Sequence, residues 1–193
     1  MGATFRTRGA ALSSADMQAA DVIGFWRNAG SGQWFAKNPA FDARFRERFC
    51  ALHLAAARRE CDHWTTTPEG SLALLILLDQ FPRNAFRGTG HMYATDPLAR
   101  HFARMANAAG HMEAIDQELR LFFCLPFAHS EDIADQNLSV ELNTRLGPAE
   151  RAHAEGHRDI VRRFGRFPHR NAMLGRQTTD EEQVFLDGGG FDG

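Results

Sequence analysis

Apolar side chains recur every three or four residues along most of the chain, which is the period of a helix face. Val22, Ile23, Phe25 and Trp26 make the apolar side of a first helix, capped by Ser13 or Ser14 and running to about Asn28. Gly30, Ser31 and Gly32 break it. Asn38-Pro39 reads as an N-cap followed by proline at the first helical position. Phe41, Phe45, Phe49, Leu52 and Ala56 then form one stripe on a long second helix. Thr67-Pro68 opens a third, with Glu69 at its positive end. Its SLALLILLD run is apolar on every face, so it should be central and covered. A short apolar run can also be a buried strand, but leucine and alanine outnumber β-branched residues here, which favours helix. Thr95-Asp96-Pro97 opens a fourth helix, ended by Gly110. A fifth covers Met112 to Phe127 and a sixth Ser130 to Leu146. The seventh runs from Pro148 to Phe164, with Ile160, Val161 and Phe164 inward and Gly165 as its stop. Thr178 and Thr179 precede Glu181 and Glu182 by three residues each, a capping-box signature for a short last helix.

No alternating run bounded by hairpin turns interrupts this pattern. The sequence therefore predicts an all-α protein of about eight helices in antiparallel pairs, joined by short connections. No linker or shift in composition divides it, so residues 1–193 read as one domain, frayed over 1–12 and 188–193. A chain of 193 residues can bury about 70% of the surface it exposes unfolded. Its 44% apolar and 24% charged residues exclude disorder as the main description. The net charge of −2 supplies no field that would demand nucleic acid or a membrane. Lys37 is the only lysine among 22 basic residues. The longest apolar stretch, Leu72 to Leu78, falls far short of the roughly 20 residues that span a bilayer. With no apolar run fit for a signal peptide in MGATFRTRGAALSSAD, the expected location is the cytoplasm. Cys50, Cys61 and Cys124 form no CxxC pair. Cys50 and Cys61, placed on one helix, would lie roughly 16 Å apart, so buried free thiols are expected.

One pattern appears twice. Residues 81–87 read FPRNAFR and residues 167–176 read FPHRNAMLGR, each after an apolar helix and before a threonine-containing cap. Proline ends the helix, Asn84 or Asn171 turns the chain, and the arginine falls on the helix-terminal side. A repeated architectural corner would suffice to explain it. Yet Arg163, Arg166, Arg170 and Arg176 crowd one stretch with His169, and guanidiniums repel unless carboxylates or a bound anion neutralise them.

LLDQFPRN at 77–84, LPFAHSED at 125–132 and RFGRFPHRNAMLGRQTTDEE at 163–182 resemble the family called domain of unknown function 924, over about Val22 to Leu186. The resemblance implies an all-α array similar to tetratricopeptide repeats, although that repeat's consensus is not visible here. It brings no activity. It singles out Asp79, Gln80, Arg83 and Asn84, then His129, Ser130 and Glu131, and last His157, Arg163, Arg166, His169, Arg170, Asn171 and Arg176.

Those positions allow two kinds of reading. Ser130 can cap a helix, with Glu131 and Asp132 in its first turn. Alternatively, His129 and Glu131 face a pocket as a proton-transfer pair, with His169 a second candidate. Arg83, Arg166 and Arg170, with Asn84, Arg163 and Arg176 beside them, suit a grip on carboxylate or phosphate. Asp79, Gln80 and Glu131 can instead neutralise those arginines in a buried network. His153 and His157 share a helix face, but without HExxH, an EF-hand loop or paired CxxC no metal is expected. Eight arginines against three acids over 145–176 suggest nucleic acid, but Phe164 should point to the core, so none is expected as partner. GxGxxG, P-loop and GxSxG patterns are missing, so no cofactor is expected. The leading expectation is a polar concavity for a small anionic molecule, with His129 or His169 moving a proton and Glu131 orienting it. The rival is a helical scaffold whose concave face holds a peptide or protein partner.

Overall fold

The computed structural model describes residues 14–190, and among these it contains ten α-helical segments and no strand. They are α1 (Ser14–Ala29), α2 (Ser31–Trp34), α3 (Pro39–Ala57), α4 (Pro68–Leu75), α5 (Phe81–Ala85), α6 (Asp96–Ala108), α7 (Leu121–Ala128), α8 (Ile133–Thr144), α9 (Pro148–Phe164) and α10 (Asp180–Asp187). A π-helical turn, Ile76–Gln80, joins α4 to α5 without a break, so residues 68–85 form one rod. That rod is the axis of the molecule. α1, α6 and α7 pack on α4, α3 packs on α5, and α8 lies between α7 and α9. Every side chain from Leu72 to Leu78 is fully buried, as the all-apolar run requires. No helix of the described residues is long and apolar enough to cross a membrane. Of the ends expected from the sequence, a Ser13 cap, the fraying over 1–12 and the 191–193 part of the fraying expected over 188–193 fall outside what is described, and Ser14 is the first residue of α1.

Several helix ends follow from the sequence. The Asn38 side chain accepts from the amides of Ala40 and Phe41, and Thr67 accepts from that of Gly70. Gly165 stops α9 with φ +70°, a left-handed conformation in which a Cβ would be strained. The capping box forms at Thr179 and Glu182.

Other ends differ, each for a local reason. The fifth helix was expected from Met112; 3₁₀ turns at Met112–Ala114 and Gln117–Leu119 stand there instead, and α7 begins only at Leu121. Arg120 donates to the carbonyls of Glu113 and Ile115, satisfying acceptors that a helical ladder would otherwise use. The cap of α8 is Asp132, not Ser130, whose hydroxyl donates to buried Asp135 at 2.7 Å. Thr95 does not cap α6, because its hydroxyl is turned to Leu78. α3 ends before Cys61, so the two cysteines do not share a helix. Cys61 and Cys124 are buried free thiols and Cys50 is half-buried; burial pushes the Cys124 thiol up to about 12.

Pro82 does not end its helix either. Proline removes one amide donor and its ring crowds the carbonyl four residues back, that of Leu78. The π turn widens the rod at that place: the Phe81 amide reaches back to Ile76. Helix then resumes through Phe81–Ala85.

Candidate functional site

Asp79 and Gln80 close the π turn and are both buried. Asp79 sits at the hub of a polar cluster drawn from four parts of the chain. One carboxylate oxygen accepts from His129 Nδ1 at 2.8 Å, and the other from Gln80 Nε2 at 2.6 Å. Arg83, one turn on, lies 3.3 Å from the same carboxylate and donates to the Asp79 carbonyl at 2.6 Å. Its guanidinium also forks onto Asp96 at 2.9 and 3.1 Å, the bidentate geometry that a carboxylate fits best.

Arg170 comes to the same cluster from the 3₁₀ turn Pro168–Arg170. It donates to the His129 carbonyl at 3.0 Å and lies over the rings of Tyr93 and Phe167, 4.6 Å from each centroid. Glu131 borders this group, accepting from the Phe167 amide at 2.9 Å and from Arg176 at 2.8 Å. The two copies of the repeated sequence pattern therefore meet. Arg83 and Arg170 both approach Asp96 and Tyr93, while Asn84 and Asn171 each donate to a carboxylate on another helix, Asp42 and Glu182.

Electrostatics fix the protons. Burial pushes the Asp79 carboxyl up, but Arg83 and His129 outweigh burial and hold it below the ordinary carboxylate range. Burial, joined by the Arg83 charge, lowers His129 against the opposing pull of Asp79. A neutral imidazole facing an ionised carboxylate through Nδ1 must carry its proton on Nδ1, leaving a lone pair on Nε2. The His129 side chain keeps 15% of its surface exposed and Arg83 keeps 16%.

The arginines are neutralised unequally. Arg83 has Asp79 and Asp96; Arg176 has Glu131; Arg163 pairs with exposed Glu181 at 3.0 Å; Arg166 forks onto Glu182 at 2.6 and 2.8 Å. Arg170 is different. It is only 6% exposed, its nearest carboxylate oxygen is 3.7 Å away on an Asp96 already gripped by Arg83, and its buried Nε has no hydrogen-bond partner among the described residues.

Of the residues singled out in the sequence, Asp79, Gln80, Arg83, His129, Glu131, Arg170 and Arg176 come together. Arg163 and Arg166 instead tie the end of α9 to α10, and His169 lies beside Phe167, ring centroids 5.7 Å apart. Asn84 lines a separate open cleft of about 600 Å³ with Lys37, Arg46 and Arg87. A second cleft, of about 440 Å³, lies between α1 and α3. Neither cleft is lined by His129. His157 is buried, donates from Nδ1 to the His153 carbonyl, and is lowered by burial to about 3. Phe164 is only half-buried and packs on Phe185 with Arg163 over both rings. Sequence reading missed Asp96, Tyr93, Thr95 and His53. Tyr93 is the chain's one tyrosine, and His53 occupies the α3 stripe four residues after Phe49; both are signals that were there to be used.

The comparisons agree with one another. The family model described as "Bacterial protein of unknown function (DUF924)" matches residues 22–190. A solved structure of a protein of unknown function from Agrobacterium tumefaciens is 56% identical, superposes with a TM-score of 0.89, and covers 91% of this chain and 99% of its own. Among curated proteins, none matches.

Proposed function

The chain belongs to the DUF924 family of bacterial proteins, whose function is not known, and we propose that it binds a small molecule bearing one acidic group at Arg170 and exchanges a proton with it through His129. The observation that carries this reading is Arg170 itself. A buried guanidinium with an unpartnered Nε and no close carboxylate has unused hydrogen-bonding capacity, and it already holds the backbone carbonyl of His129. The Nδ1–H tautomer of His129 leaves Nε2 as a base, oriented and supported from behind by Asp79. Arg83 is committed to Asp79 and Asp96 and holds that aspartate rather than the ligand. Glu131 orients Arg176 and the Phe167 backbone rather than His129.

Charge bounds the ligand. Asp79, Asp96 and Glu131 equal Arg83, Arg170 and Arg176 in number, so a bound anion adds net negative charge to the cluster, and one acidic group adds less than a dianion. The scaffold reading finds less support, because the large exposed apolar side chains, among them Phe35, Met105 and Val184, lie on separate elements rather than along one groove.

Calorimetric titration with acetate, benzoate and inorganic phosphate tests the proposal. Binding of a monocarboxylate at least tenfold tighter to the wild type than to Arg170→Gln is expected. Equal binding to both proteins, or none to either, contradicts it.

A further inference from the structure

Three successive carbonyls of the π turn, those of Leu77, Leu78 and Asp79, each meet a side chain from a different element. His53 Nδ1, from α3, lies 2.9 Å from the Leu77 carbonyl. The Thr95 hydroxyl, from the residue before α6, donates to Leu78 at 2.5 Å, the acceptor that Pro82 cannot serve. Arg83 Nη1 donates to Asp79 at 2.6 Å. These are costly arrangements to make by accident. His53 is fully buried and Thr95 nearly so, and each gives up its hydrogen-bonding potential to a backbone oxygen. His53 is also stacked on Phe81, the first residue past the turn, with ring centroids 4.8 Å apart.

One extra residue in a helical turn rotates everything beyond it by about 100° relative to an uninterrupted helix. The turn therefore lets the rod bury Phe81 while still aiming Asp79 at His129, fifty positions away in sequence. We infer that His53 and Thr95 are positioning residues: by holding the Leu77 and Leu78 carbonyls they fix the π turn, which aims Asp79 and so dictates which nitrogen of His129 carries the proton. The inference rests on reading His129 as the proton carrier, but its test needs no ligand, so failure of anion binding leaves it untouched.

The readout is the tautomer of His129, followed by nitrogen NMR of the imidazole rings and assigned with His129→Gln. The wild type and Thr95→Ser, which keeps the hydroxyl, are expected to show the Nδ1–H form. Thr95→Val keeps the shape and removes the donor. It is expected to move at least half of the His129 signal to the Nε2–H form that a free neutral imidazole favours. His53→Phe keeps the ring stack on Phe81, removes the other donor from a different helix, and should do the same; it carries the test if Thr95→Val does not fold. A merely structural role would lower the melting temperature and leave the tautomer alone. Folded Thr95→Val or His53→Phe with His129 still in the Nδ1–H form overturns the inference.

Discussion

Asp79 is a buried polar hub, because its carboxylate meets His129, Gln80 and Arg83 together. Breaking one side of such a buried charged network typically costs about 3–5 kcal/mol, since the partners stay behind in a low dielectric. Asp79→Asn should lower the unfolding free energy by about that much in urea titrations, whereas Asp159→Asn, at an exposed pair on α9, should change it by less than about 0.5 kcal/mol. The buried histidines set the acid side of stability. Burial lowers His53 and His129 and takes His157 down to about 3. The unfolded chain takes up protons at such sites near pH 6.5, and the folded protein refuses them. Stability should therefore fall as pH drops below about 6.5, by about 2 kcal/mol at pH 5 from His157 alone. A second loss should follow below about pH 4.5, where Asp79, Glu131 and Glu182, all lowered in the fold, bind protons more readily once unfolded. Denaturation curves at pH 7, 5 and 3 check both windows, and His157→Gln should flatten the first.

At the scale of elements, two devices decide how the polar groups are presented: the π turn in the central rod and the clamp on the last helix. Glu182 is the third residue of α10, completes its capping box with Thr179, and also receives Arg166 and Asn171. Its carboxyl is held at about 2, first by the Arg166 hydrogen bonds. One carboxylate thus caps the helix and ties it to the end of α9. Thr179→Ala should cost about 1 kcal/mol, the usual worth of an N-cap. Glu182→Gln should speed amide exchange across α10 selectively, leaving the 68–85 rod protected. Uniform exchange across both would show that α10 is not a separate unit. The cap was legible in the sequence because it is local: Thr179 and Glu182 are three residues apart. The π turn was not, because Pro82 reads as a helix end until the side chains that take up the freed carbonyls are in place, and His53 and Thr95 come from distant segments.

Across the whole molecule, the same division holds between what periodicity specifies and what assembly adds. The all-α architecture and the central place of SLALLILLD follow from 3.6-residue spacing and an unbroken apolar run, since such a segment can only be stable inside. The composition of the polar cluster does not follow. Counting arginines along the sequence suggests one positive concavity, but folding sends Arg163 and Arg166 to α10, Asn84 to Asp42, and leaves Arg170 as the under-neutralised member. The acid that shares Arg83 and Arg170 is Asp96, which reads in sequence as a helix-opening residue and nothing more. Only the three-dimensional pairing of carboxylates with guanidiniums picks out where unused capacity remains.

The central claim is that His129, fixed by Asp79, offers Nε2 to a ligand held by Arg170. The most direct measurement is an acetate titration followed at the imidazole nitrogens of His129 by NMR, in the wild type and in Arg170→Gln. The account predicts an Nδ1–H ring at neutral pH and a saturable shift at His129 Nε2 that Arg170→Gln abolishes while the Nδ1–H signal persists. An Nε2–H ring in the unliganded protein, or a shift that Arg170→Gln leaves unchanged, would contradict it.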